Sequence, residues 1–146
     1  MIVVKSFCYS VHRLYKLRYM TNRFIIVSLT VLLSINGCAI GITREDLLKK
    51  MQEGTVPLIV DVRSQGEYDG DHVPGAVNIP FFSIESGLQQ AGFSKHDPLV
   101  LYCEHGPRAG LASFTLYLYG YEQVYTLEGH MKGWRNHDYP IEIKTR

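Results

Sequence analysis

Cys103 stands in the segment Leu99 to Leu111, LVLYCEHGPRAGL. A short apolar run precedes it and a helix-compatible run follows. In open α/β sheets, ligands bind at that kind of strand-to-helix junction. Gly106 allows a tight backbone curl, and Pro107 suits the first turn of a helix, where its missing N–H costs little. Successive backbone N–H groups in such a loop converge on one centre and favour an anion there. A cysteine at that centre is favoured as the thiolate, the form that attacks electrophiles. One thiolate is enough for two-step covalent chemistry: it takes a group from a donor and gives it to an acceptor. A buried structural cysteine at a strand end is an equally common fate. The loop alone leaves these two readings even.

Composition narrows the field. The protein has Cys8, Cys38 and Cys103, an odd number with irregular spacing and no CxxC pair. Neither a zinc site, nor a dithiol, nor a disulfide framework is expected, and no cofactor is implied. Residues 1–37 carry Lys5, Arg13, Lys16, Arg18 and Arg23 and no acid. The remainder carries 10 basic and 14 acidic side chains, a net of −4. With no basic patch on that remainder, nucleic-acid binding is not expected.

The elements that must position Cys103 follow from the pattern. Thr43 begins a helix, with Glu45 and Asp46 in its first turn, Leu47, Leu48 and Met51 on its apolar face, and Gly54 closing it. Leu58–Val62, Ala76–Ile79, Leu99–Tyr102 and Val124–Leu127 read as short buried strands. Helices are expected from Ser64, over Ser83–Gln90, over Ala109–Tyr119 and around Trp134, with Gly120 ending the third. Alternating strands and helices predict an α/β fold with a central parallel sheet of about five strands flanked by helices. The aromatic run Phe114, Tyr117, Tyr119 and Tyr121 is read as core and rim packing.

The first forty residues read differently. Phe24 to Leu33, FIIVSLTVLL, falls short of the about 20 apolar residues a spanning helix needs and suits a secretory signal. Ile35, Gly37 and Cys38 resemble the lipobox of bacterial lipoproteins, which makes Cys38 a lipidation candidate. Asn36 departs from that pattern, and an uncleaved signal anchor is the alternative. Met20 offers a more compact start. The expected organisation is a leader over 1–37, a short linker over 38–42 and a domain over 43–146. The domain is expected at the bacterial cell envelope, periplasmic or held at the membrane by lipid or signal anchor.

The domain closely resembles the single-domain rhodanese-like sulfurtransferases. The resemblance rests on LIVDVR at 58–63 followed by Glu67-Tyr68, DHVPGAVNIP at 71–80, Cys103–Arg108, Gly120-Tyr121, and Leu127-Glu128-Gly129 with Gly133-Trp134. It implies that Cys103 takes sulfur from a small donor (thiosulfate, a persulfide or a polysulfide) and passes it to cyanide or a thiol. It implies a substrate-binding loop of Glu104, His105, Gly106, Pro107, Arg108 and Ala109, with Arg108 drawing anionic donors. It implies structural support from Asp61, Arg63, Glu67 and His72. Arg63 is expected to pair with Glu67, because a charged side chain at a strand end needs a partner. His72 is read as a hydrogen-bonder that steadies a turn. His130 replaces a glycine common in the family and is placed at the site rim or in solvent. Glu104 beside the nucleophile is expected to oppose thiolate formation and repel thiosulfate, unless it points to solvent. A related phosphatase loop needs Cys-x5-Arg, and Ala109 stands where that arginine would be. The remaining alternative is a non-catalytic binding or sulfur-carrier module, since fold alone does not fix function.

Overall fold

The computed structural model describes residues 40–144. Strand β1 spans Ile40–Ile42, helix α1 Arg44–Glu53, β2 Leu58–Asp61, α2 Gln65–Gly70 and β3 Val77–Asn78. A single 3-10 turn at Phe81–Ser83 leads into α3, Ile84–Gln90. Then follow β4 Leu99–Tyr102, α4 Pro107–Leu118, β5 Val124–Leu127 and α5 His130–Asn136. The five strands form one sheet in the order β1-β5-β4-β2-β3, and every pairing is parallel.

Local chemistry sets the helix starts. The Thr43 hydroxyl accepts the Asp46 N–H at 3.0 Å, and Gly54 ends α1 in the left-handed region. Ser64 and Glu67 close a reciprocal capping box at the start of α2.

Side chains alternate across the sheet and make two cores. Val60, Leu99, Leu101 and Cys103 face Leu88, Ala112 and Leu116 from α3 and α4. Ile59, Val100, Tyr102 and Leu127 face Leu47 of α1 and Met131 and Trp134 of α5. All four β4 residues are buried, as a central parallel strand requires.

Two expectations need correction. Residues 40–42, expected within a linker, are an edge strand paired with Tyr125, Thr126 and Leu127. A three-residue Ile-Gly-Ile segment is too short to show a period, and only its distant partner makes it a strand. Of the aromatic run, only Tyr121 is buried. Phe114 is 55% exposed and Tyr117 62%, and together with Leu111 and Leu118 they form an apolar outer face on α4. The helix buries its small residues instead, Ala109, Ala112 and Ser113, along with Leu116, because small side chains let it approach the sheet closely. The leader, Met20 and Cys38 lie outside the described residues.

Candidate active site

Cys103 follows β4 directly at the C-terminal edge of the central strand, and its thiol is free. The residue is 1% exposed. The Gly106 N–H donates to Sγ at 3.0 Å. Gly106 reaches this position with φ 125, a conformation that side chains rarely allow. Pro107 then opens α4 at its first position. It has no N–H to contribute, so any cradle formed by amides 104 to 109 omits this position. Gly110 N–H to Gly106 C=O, at 2.9 Å, fastens the helix start to the loop. Ala109 is fully buried beneath the loop, and His105 is exposed.

Helix α5 closes the site from the other side. Met131 N–H donates to the Cys103 carbonyl at 2.9 Å, and Lys132 N–H to that of Glu104 at 3.3 Å. The Cys103 N–H donates to Nδ1 of His130 at 3.5 Å. His130 therefore lies against the loop and not free in solvent.

The ion pairs differ from the expected ones. Arg63, 2% exposed, forms a two-pronged bond with Asp61 and reaches Asp71 and Glu104, each at 3.2 Å. It does not pair with Glu67. Asp61 precedes it by two residues on the same strand end, so Asp61 meets the guanidinium first. Burial opposes the Arg63 charge, but the Asp61 bonds more than offset it and its pKa is raised. Glu67 instead takes both terminal nitrogens of Arg108, at 2.7 and 2.8 Å. The Arg108 hydrogen bond holds the Glu67 carboxyl at about 2, against an ordinary 4.5. Arg108 is thus engaged by a carboxylate and is not a free cation awaiting a donor.

Glu104 is only partly exposed to solvent. Its carboxylate bonds Arg63 and Arg135, and Arg135 also holds Asp71 at 2.6 Å. The charge expected to disturb Cys103 is paired with two guanidinium groups, which Asp61 and Asp71 share. The sequence pattern does not single out Asp71 or Arg135. Asp71 lies within the DHVPGAVNIP segment, but Arg135 on a half-exposed helix position carries no local signal. Asn78 was also missed; its amide donates to the carbonyls of Asp61 and Arg63.

His72 lies apart from this cluster. Its Nδ1 sits 2.8 Å from the Tyr68 carbonyl, and its ring stacks on Tyr68 at 3.8 Å. Its Nε2 lies 3.4 Å from Glu142. Tyr102, whose phenol is pushed up by burial, accepts the Val73 N–H at 3.1 Å. These contacts brace the segment after α2 against β4.

The chain matches the family described as rhodanese-like domain over residues 43–137. It is 36% identical over 76 residues to the uncharacterized protein YqhL of Bacillus subtilis, across 52% of this chain and 59% of that protein. It is 33% identical over 91 residues to the thiosulfate sulfurtransferase GlpE of Pseudomonas syringae, across 62% of this chain and 81% of that one. The fold superposes on the BH2092 protein of Bacillus halodurans with a TM-score of 0.64 at 23% identity, covering 87% of each chain. That last likeness speaks to fold alone.

Proposed function

We propose a sulfurtransferase function for this chain, which belongs to the rhodanese-like domain family. The carrying observation is the Gly106 N–H aimed at Cys103 Sγ, in a loop between a buried strand and a helix N-terminus. A donor in contact with that loop meets a nucleophile already held by an amide. The Cys103 thiolate attacks the outer sulfur of thiosulfate. A new S–S bond forms, the old one breaks, and sulfite leaves with its electron pair. Cys103 now carries a persulfide, and its terminal sulfur anion is the group for which a loop of amides is suited. Cyanide or a thiolate attacks that sulfur, and the Cys103 thiolate departs ready for another cycle.

Each group has a role in this reading. Cys103 is the nucleophile. Gly106 supplies the contacting amide, and Glu104, His105, Pro107 and Ala109 give the loop its shape. Asp61, Arg63, Asp71, Glu104 and Arg135 hold that loop to β2 and α5. Because Cys103 is 1% exposed, access favours small donors such as thiosulfate, persulfide or polysulfide. Steady-state transfer from thiosulfate to cyanide tests the reading. A two-step displacement pattern is expected, with loss of turnover in Cys103→Ser. No turnover with any of these donors would favour a binding module.

The reading extends to location. We place this chemistry at the bacterial cell envelope, through the apolar run 24–33 and Cys38. Among the described residues no helix is long and apolar enough to cross a membrane. Metabolic labelling with a fatty acid is expected to mark the wild type and not Cys38→Ser. Label persisting in the variant would refute lipidation at Cys38.

A further inference from the structure

We propose that His130 is a positioning residue for Cys103, its imidazole accepting the nucleophile's own backbone N–H and fixing the peptide from which the loop springs. The role rests on the sulfurtransferase reading of the site, but its geometry stands separately.

Both hydrogen-bonding groups of the Cys103 backbone are engaged by consecutive residues of α5. The carbonyl takes Met131 N–H at 2.9 Å, and the N–H goes to His130 Nδ1 at 3.5 Å. The other edge of the same ring faces the far side of the loop. Its Nε2 stands 3.1 Å from where a Cβ on Gly106 would lie. Gly106 is the residue whose N–H contacts Sγ. One imidazole therefore bonds the start of the loop and lies beside the residue that holds the sulfur.

The backbone carries a cost for this placement. His130 has φ 51, in the left-handed region that non-glycine residues seldom occupy. Such a conformation persists where the surroundings over-determine it. A glycine here would be relaxed but would leave the Cys103 N–H without this acceptor.

Accepting at Nδ1 requires that nitrogen to be unprotonated, with the ring proton on Nε2. Burial lowers the His130 pKa below 6.5, and neighbouring His105 acts in the same direction. The other charged groups around it come from every packed element. Glu104 belongs to the loop, Arg108 to α4, and Glu128 to the end of β5. Arg44 of α1 lies against Gly129 and Gly133, and Lys132 and Arg135 share α5. Glu104 and Arg135 are bonded to each other and Arg108 to Glu67, so those charges are already paired. Acidification places a proton on Nδ1 and removes the acceptor, which frees the Cys103 peptide.

Two variants tolerate the positive φ and test this without threatening the fold. His130→Gly removes the ring. His130→Asn keeps an acceptor oxygen near Nδ1 that does not titrate. In thiosulfate-to-cyanide transfer, His130→Gly is expected to lower kcat about three- to tenfold, the worth of one hydrogen bond. His130→Asn is expected to recover most of that loss and to lack the wild type's acid-side inflection. The Cys103 amide resonances in NMR should follow the His130 titration in wild type and not in His130→Asn. An amide that ignores that titration, or a His130→Gly variant with wild-type kcat and pH profile, would overturn the proposal. A wild type that transfers no sulfur would refute the function, and the amide titration would still decide the role of His130.

Discussion

Glu104 adjoins the nucleophile in sequence but is bonded to Arg63 and Arg135 in space. Its side chain is 20% exposed, so water screens it only in part, and the two guanidinium groups set its electrostatics. The carboxylate fastens the loop to Arg63 after β2 and to Arg135 of α5. Removing it leaves charged donors short of a partner in a partly buried cluster. Glu104→Ala is therefore expected to cost about 1–3 kcal/mol of unfolding free energy, read by chemical denaturation. KM for thiosulfate should change less than about twofold, because Asp61 and Asp71 still balance Arg63 and Arg135 once the Glu104 carboxylate is gone. A large fall in KM would restore the view that Glu104 repels the donor.

At the scale of elements, one ion pair helps hold the loop. Glu67 of α2 and Arg108 of α4 tie the helices on either side of the site. Because the Glu67 carboxyl is lowered from 4.5 to about 2 in the fold, its stabilisation is complete above about 4.5 and fades as pH falls through about 2. Glu67→Gln should thus be less stable than wild type at neutral pH, and the gap should close as pH is lowered across that window. A gap that stays constant with pH would show that the pair contributes nothing through charge. Helix α4 offers a second test. Leu116 is fully buried, whereas Phe114, two positions earlier, is 55% exposed. Leu116→Ala should cost about 2–5 kcal/mol and Phe114→Ala less than about 0.5 kcal/mol, measured by urea denaturation. Equal losses would contradict the orientation of the helix.

Across the whole molecule, what the sequence reveals follows the range of the interaction. Strands β2 and β4 are legible because each is a short apolar run, the mark of a parallel strand buried on both faces. The turns and helix starts are legible because Thr43, Ser64, Gly106 and Pro107 act on neighbours a few residues away. Strand β1 is not legible, since Ile40–Ile42 depends on β5 more than eighty residues later. The bond from Arg63 to Glu104 is hidden for the same reason, being 41 residues off, whereas its bond to Asp61 is local. The outer face of α4 is not legible, because aromatic side chains on a helix usually signal the core, whereas here the alanines allow close approach to the sheet. The cysteine loop itself is local, so its position at the C-terminal edge of the central strand could be read directly. The sulfur chemistry depends on what that loop binds. Mass spectrometry of the purified protein after exposure to thiosulfate or polysulfide tests it most directly. One added sulfur atom on the Cys103 peptide, removed by cyanide and absent from Cys103→Ser, is the predicted result. A Cys103 that gains no sulfur from either donor would contradict the account.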